Sequence, residues 1–129
     1  MKQDFGKEYK LCSKILIDQL FGSGYRLQQF PFQAIVLPIK LNNSLPFQVL
    51  ISVPKKKFKK AVHRNYLKRV TRELIRKNKV NLESLLIEMN IQLAICFVYT
   101  STENMDYPSL ELKISKLIEK IQAHVETLK

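Results

Sequence analysis

The feature that most restricts the fold of this chain is a nearly uninterrupted apolar run, Ile91–Tyr99 (IQLAICFVY). The run is far shorter than the roughly 18 apolar residues that a membrane-spanning helix needs. A strand that is apolar on both faces is stable only where other elements cover both of those faces. We therefore predict a central strand here, in the middle of a sheet, and no membrane span.

Hydrophobic spacing predicts one helix before the sheet and another at the end of the chain. Apolar residues recur at helical intervals in Leu11–Phe21, and two glycines soon after it end the pattern. Three- and four-residue steps also run from Leu110 to Leu128, after Asp106 and Pro108, which are typical of a helix start. We therefore predict a short first helix and a longer amphipathic last helix.

Three further strands are predicted after the first helix. Phe30–Ile39 and Phe47–Val53 are rich in aromatic and β-branched residues, and a shorter strand is predicted near Tyr25–Gln28. The turn-forming run Asn42-Asn43-Ser44 separates the two longer strands. We therefore predict that those two strands form an antiparallel hairpin.

The net charge of +11 comes from one fifth of the chain. The segment Lys55–Lys79 holds 12 of the 22 lysines and arginines but only one of the 11 acids, Glu73. The other 104 residues are therefore neutral, with ten cations and ten acids. Concentrating like charge on one segment causes self-repulsion that a bound polyanion relieves, so the pattern indicates a nucleic-acid partner.

Most of this segment is predicted to form one helix, from about Lys60 to Lys77. On a helical wheel at about 100° per residue, its apolar residues fall in one sector, which we expect to face the core. These residues are Val62, His63, Tyr66, Leu67, Val70 and Leu74. The opposite sector, called the basic ridge below, consists of Arg64, Asn65, Lys68, Arg69, Arg72 and Arg76.

A lysine loop precedes the basic ridge and extends its positive charge. It comprises Lys55, Lys56, Lys57, Lys59 and Lys60. A solvated helix face would carry glutamates four residues from its cations, yet only Glu73 is present. A nuclear-localisation signal is the other interpretation of the lysines, but such signals usually lie in exposed tails. The loop and the ridge therefore predict RNA binding, with lysines contacting phosphates and arginines contacting phosphate oxygens or base edges.

Little else in the sequence suggests chemistry of its own. Cys12 and Cys96 lie far apart among apolar neighbours, so we expect both to be small buried thiols in a reducing cytoplasm. His63 falls in the predicted core sector, and His124 stands alone on the last helix. No catalytic or metal-binding residue is predicted, and the N-terminus lacks the apolar run of a signal peptide. We therefore expect a cytoplasmic protein.

The run Ser52–Glu73 (SVPKKKFKKAVHRNYLKRVTRE) resembles the signature of the bacterial ribonuclease P protein component. That signature joins a strand and two lysines to a helix with the pattern A-x-x-R-N-R-x-K-R-x-x-R-E. The matching positions are Ala61, Arg64, Asn65, Lys68, Arg69, Arg72 and Glu73. Tyr66 stands where the signature has its second arginine. The resemblance also extends to the first helix, with Phe21 and Gly24, and to the order of the elements, and it covers almost the whole chain.

The resemblance implies an α+β fold for residues 1–129, a single RNA-binding domain built as a two-layer sandwich like that of some ribosomal proteins. The implied order is α-β-β-β-α-β-α. The basic helix is expected to join parallel strands through a left-handed crossover, whereas chirality rules alone predict a right-handed connection.

The resemblance also implies a function. Members of this family join a large catalytic RNA, and the complex removes the 5′ leader of precursor tRNA by endonucleolytic cleavage. The RNA performs the hydrolysis with its own Mg²⁺, so the chain is expected to be a subunit of an endoribonuclease and to bind no cofactor itself. No obligate protein partner is evident. In the family, the basic helix faces the catalytic RNA, and a cleft between the first helix and the sheet holds the leader. The cleft candidates are Ile17, Phe21, Phe32 and Phe47, since aromatic faces stack on unpaired bases.

Two other functions remain open from the sequence. A ribosomal or chaperone-type RNA-binding protein would use the same fold and the same basic ridge. A DNA-binding regulator is less well supported, because groove-reading helices need a few varied base-reading side chains instead of a row of phosphate-binding cations.

Overall fold

The computed structural model describes residues 6–56, 58–103 and 105–128. Within these ranges one four-stranded sheet has helices on both of its faces. The strands are β1 (Tyr25–Gln29), β2 (Phe32–Pro38), β3 (Phe47–Ser52) and β4 (Leu93–Tyr99). The α-helices are α1 (Lys14–Ser23), α2 (Ala61–Asn78), α3 (Val80–Met89) and α4 (Tyr107–Glu126), and a 3₁₀ turn at Lys7–Tyr9 precedes them.

β4 is the central strand, as its sequence predicts. The sheet order is β1-β2-β4-β3, with β4 antiparallel to β2 and parallel to β3. Every residue of β4 is buried except Val98, which is half-buried. Because side chains alternate along a strand, β4 contributes to two cores. Leu93, Ile95, Phe97 and Tyr99 pack with α2, α3 and α4, whereas Ala94, Cys96 and Val98 lie on the α1 side.

β2 and β3 are not paired, so the predicted hairpin between them is wrong. The chain leaves β2, passes the start of β4 and joins the sheet on the far side of β4. Gln92 holds this connection, because its Nε2 donates to the carbonyl oxygens of Asn43 and Leu45 at 2.7 and 2.8 Å. Strands that are neighbours in sequence usually pair, and here this long-range contact favours the exception. The hairpin partner of β2 is β1.

Three helices cover one face of the sheet and one helix covers the other. The larger core lies between the sheet and α2, α3 and α4. On the second face, Leu16 and Leu20 of α1 pack with Ile35 of β2. The α+β architecture and the predicted order α-β-β-β-α-β-α are confirmed, with α3 as an additional helix between α2 and β4. The hand of the crossover between β3 and β4 stays a prediction.

Hydrophobic spacing in the sequence does not predict α3. This helix follows α2 after the single residue Lys79, and it ends where Asn90 adopts the left-handed conformation with a φ of 56°. Its buried side contains Glu83 beside Leu82 and Leu86. The charged residue interrupts the amphipathic pattern, which is why the helix is hard to recognise from hydrophobic spacing.

A buried ion pair joins α2, α3 and the N-terminal segment. The Nζ of Lys79 lies 2.6 Å from Oε1 of Glu83, and both side chains are almost fully buried. The Tyr9 hydroxyl donates to the other carboxylate oxygen, Oε2, at 2.5 Å. The chain then runs along the outer edge of β3, where the Leu11 N–H donates to the Val49 carbonyl at 2.8 Å. These contacts fix the N-terminal segment beside β3 and α2.

The two cysteines differ in exposure. Cys96 is buried on the α1 side of the sheet, as predicted. Cys12 is exposed, so its predicted burial is wrong; the chain instead buries its neighbour Leu11. Burial raises the pKa of the Cys96 thiol to about 12, so the reactive thiolate is almost absent at pH 8.

We expect one thiol of the folded protein to react with iodoacetamide within minutes at pH 8, and two after denaturation. Intact-mass spectrometry counts the added groups. The variant Cys12→Ser should show almost no reaction while it is folded, because its remaining thiol is Cys96. Rapid labelling of both thiols in the folded wild-type protein would contradict the burial of Cys96.

Candidate nucleic-acid interface

The basic ridge lies on α2, directly after the lysine loop, as the sequence predicts. Its six residues are all at the surface. Asn65, Lys68 and Arg69 are exposed, and Arg64, Arg72 and Arg76 are half-buried. The fold therefore leaves the ridge accessible to a partner.

The packed side of α2 is only partly the predicted one. Val62, His63 and Tyr66 are exposed, although all three were predicted to face the core. The first turn and a half of α2 extends beyond the core, and no residue from Ala61 to Tyr66 is buried. Further along α2, Thr71 and Ile75 are also buried. The middle of the buried side therefore lies roughly 80° around the helix axis from the middle of the predicted sector. A wheel gives the order of residues around a helix but not the direction in which the rest of the protein lies.

Arg64 fixes the lysine loop to α2. Its Nη1 donates to the carbonyl oxygens of Phe58 and Lys59 at 2.7 and 2.8 Å. Phe58 is buried, and its ring centroid lies 5.7 Å from that of Tyr99. The aromatic residue inside the lysine run thus holds the loop to the core. Lys55, Lys56, Lys59 and Lys60 are exposed, and Lys57, the remaining predicted lysine, lies outside the described residues.

Glu73 compensates the charge at the C-terminal end of the ridge. The Nε and Nη2 of Arg76 donate to the two oxygens of this carboxylate at 3.0 and 2.5 Å. These hydrogen bonds lower the pKa of Glu73, so the carboxylate stays ionised at neutral pH. The exposed cations Lys68 and Arg69 therefore lie at the centre of the ridge, between the Arg64 loop contacts and the Arg76 ion pair.

A groove of about 340 Å³ lies between the ridge and the edge strand β3. Its lining combines four cations, Lys10, Lys68, Arg69 and Arg72, with three apolar residues of β3, Val49, Leu50 and Ile51. Proteins bind single-stranded nucleic acid with this combination, because cations contact phosphates while bases cover apolar side chains. The groove is thus suited to an unpaired strand.

A match to a family model shows the family of the chain. A model described as Ribonuclease P matches residues 5–122, which include the ridge, the groove and the whole sheet. The chain belongs to the ribonuclease P protein component family. The ribonuclease P protein component of Porphyromonas gingivalis is 31% identical over 119 residues, which cover 92% of this chain and 87% of that protein. The ribonuclease P protein component of Mycoplasma mobile is 35% identical over 102 residues, which cover 79% and 82%.

Solved ribonuclease P proteins share the fold. The Staphylococcus aureus RNase P protein superposes with a TM-score of 0.67, covering 88% of this chain and 94% of that chain at 16% identity. The RNase P protein from Thermotoga maritima gives a TM-score of 0.64, covering 86% and 96% at 24% identity. At these identities the structures show a common architecture, and the family assignment rests on the sequence matches.

Two of the four residues predicted to line a leader cleft are buried on the side of the sheet opposite α1. Phe32 and Phe47 are 2% and 0% exposed, in the core between the sheet and α2, α3 and α4. Because side chains alternate along a strand, both face away from α1. On the α1 side, Phe21 is 43% exposed and Ile17 is half-buried, so these two remain candidates.

The structure adds surface residues that the sequence analysis missed. Leu50 and Val98 are half-buried on the α1 side of the sheet. Strand alternation would have indicated both, once Phe47 and Phe97 were placed in the larger core. No pattern in the sequence indicates Lys10, because this residue reaches the groove only through the pairing of residues 10 and 11 with the edge of β3.

The two histidines lie apart on α2 and α4. His63 is exposed, and His124 stacks on Tyr25 with ring centroids 4.2 Å apart. In the described part of the chain, no three His, Cys, Asp or Glu side chains form a group able to hold a metal ion. No helix in the same ranges is long and apolar enough to cross a membrane.

Proposed function

We propose that this protein is the subunit of ribonuclease P that binds the catalytic RNA through the basic ridge and the lysine loop. The observation that supports this most directly is the exposed pair Lys68 and Arg69 at the centre of the ridge, beside a groove with an apolar side. The phosphates of a folded RNA carry the complementary charge, and their neutralisation releases counterions, which favours binding. Membership of the ribonuclease P protein component family supports the choice of partner.

The proposed ligand of the surface next to the ridge is the 5′ leader of precursor tRNA. Leu50 lines the groove and also lies on the α1 side of the sheet, so the groove and that side are continuous. A single strand along this path would place phosphates near Lys10 and Lys68, and bases against Leu50, Ile17 and Phe21. The protein would thus contact the substrate and the catalytic RNA at the same time.

We assign the hydrolysis to the RNA partner and its Mg²⁺. The role proposed for the protein is electrostatic, because catalytic RNA and precursor tRNA are both polyanions that repel each other. Cations between them reduce this repulsion, and less Mg²⁺ is then needed for the two RNAs to associate. From this role we infer that the protein acts in the cytoplasm.

Reconstitution with the cognate catalytic RNA tests this function. Adding the protein is expected to lower the Mg²⁺ concentration for half-maximal cleavage of precursor tRNA and to tighten substrate binding. Single-turnover cleavage across a Mg²⁺ series measures the first effect, and its dependence on the concentration of RNA–protein complex measures the second.

Mature tRNA without a leader is the matched control substrate, and the protein should tighten its binding much less. If neither the Mg²⁺ requirement nor precursor binding changes, the subunit assignment is wrong for this chain. A ribosomal or chaperone-type RNA-binding function would then explain the ridge better.

A further inference from the structure

Tyr66 presents an aromatic ring at the surface beside the basic ridge. It is 43% exposed, and Val62, one turn before it, is 75% exposed. The Cζ atom of the Arg69 guanidinium lies over the ring, 5.7 Å from its centroid. In the described ranges, no hydrogen bond holds the Tyr66 hydroxyl. The ring is therefore positioned by a cation of the ridge and not by the core.

An aromatic ring in this environment is suited to RNA. Unpaired bases stack on exposed aromatic faces, and this stacking tolerates any base because every base has a π-face. The guanidinium over one face of the ring is held there by a cation–π attraction, which leaves the opposite face for a base. Exposed Arg69, three residues after Tyr66 and on the same side of α2, can contact a phosphate that flanks such a base.

We propose that Tyr66 stacks on an unpaired base of the catalytic RNA while Arg69, held over the ring, contacts a neighbouring phosphate. This inference rests on the proposed function and adds to it a kind of contact that does not depend on charge. Tyr66 occupies the position where the signature that this chain resembles has an arginine. α2 would then contact RNA by stacking at a position where the arginine of the signature would bind a phosphate.

Salt dependence separates stacking from phosphate contact. The variant Tyr66→Ala is expected to bind the catalytic RNA roughly 5- to 100-fold more weakly, with the slope of log affinity against log salt unchanged. Tyr66→Phe should bind like the wild type, because it keeps the ring. Tyr66→Arg should make the slope steeper by about one unit. Circular dichroism should show the same helix content in all three, since the side chain lies outside the core.

A tryptophan at position 66 reports stacking directly, because the chain contains no other tryptophan. We expect the fluorescence of Tyr66→Trp to be quenched when catalytic RNA is added. The control Leu112→Trp, at a residue of α4 that is 53% exposed, should keep its fluorescence.

Wild-type affinity for Tyr66→Ala, a shallower salt slope for that variant, or unquenched Tyr66→Trp at saturating RNA would each overturn the stacking role. The wild-type protein in the same titrations tests the proposed function separately. If it fails to bind the catalytic RNA, the proposed function fails, and the stacking role fails with it. If the wild-type protein binds while the Tyr66 variants give any of these three contradicting results, only the stacking role is wrong.

Discussion

Replacing Lys68 and Arg69 together by alanine is expected to weaken binding of the catalytic RNA roughly 30-fold near 0.15 M salt. Each cation that contacts a phosphate contributes about one unit to the slope of log affinity against log salt, so the slope should become shallower by about two. Both side chains are exposed, and the double variant should therefore unfold at nearly the same temperature as the wild type. Fluorescence anisotropy across a salt series measures the affinity and the slope.

Lys116 and Lys120 of α4 provide the matched control for this pair. Both side chains are exposed. Lys120 makes one contact within the protein, a hydrogen bond to the Gln28 carbonyl at 2.6 Å, just as Arg69 makes one contact with the Tyr66 ring. Replacing both by alanine removes the same charge from a surface outside the ridge, so affinity and slope should stay close to those of the wild type. Equal losses in the two double variants would mean that the RNA responds to net charge alone, and the ridge would not be the interface.

Replacing Glu83 by alanine is expected to lower the free energy of unfolding by about 3–5 kcal/mol, because the Lys79 ammonium is then buried without its carboxylate. The Tyr9 hydroxyl also loses its hydrogen-bond acceptor. For a chain of 129 residues, this change corresponds to a fall in Tm of roughly 10–20 °C. Urea unfolding followed by circular dichroism measures the free energy.

The control for this prediction replaces the whole buried polar group with apolar residues of similar volume, as Tyr9→Phe, Lys79→Met and Glu83→Leu. Since no charge is then left unpaired, the triple variant should be about as stable as the wild type, or more stable. It leaves Lys68 and Arg69 unchanged, so its binding of catalytic RNA should also be close to wild type. A loss of less than about 1 kcal/mol in Glu83→Ala would indicate an ion pair that is solvated and not buried.

RNA affinity and folding stability are expected to depend on different residues in and beside α2. Its outer surface, with Lys68 and Arg69, is expected to determine RNA affinity while contributing little to folding. The ion pair just beyond its C-terminal end is expected to determine folding stability while lying away from the partner. The N-terminal segment connects the two properties, because Tyr9 contacts the ion pair and Lys10 lines the groove.

Local patterns in the sequence were sufficient for the features that depend on neighbouring residues. The apolar run Ile91–Tyr99 predicted the central strand, and the distribution of charge predicted a basic surface on the helix after Pro54. The signature in Ser52–Glu73 indicated the family, which the matches to the family model and to the relatives confirm. Each of these features depends on the spacing of side chains within one element, and that spacing can be compared directly with the known periods of helices and strands.

The tertiary structure decided the features that depend on contacts between distant parts of the chain. β3 lies on the far side of β4, where Gln92 holds the connection from β2. α2 packs with a different side from the predicted one, so that Tyr66 faces solvent. The fold also places Phe32 and Phe47 in the larger core, away from α1. Periodicity gives the faces of an element but not which face meets the rest of the protein, since that choice depends on the free energy of packing against elements far away in sequence. The sequence by itself therefore determined the elements and the charge that the interface requires. The packing of those elements decided which residues the interface exposes.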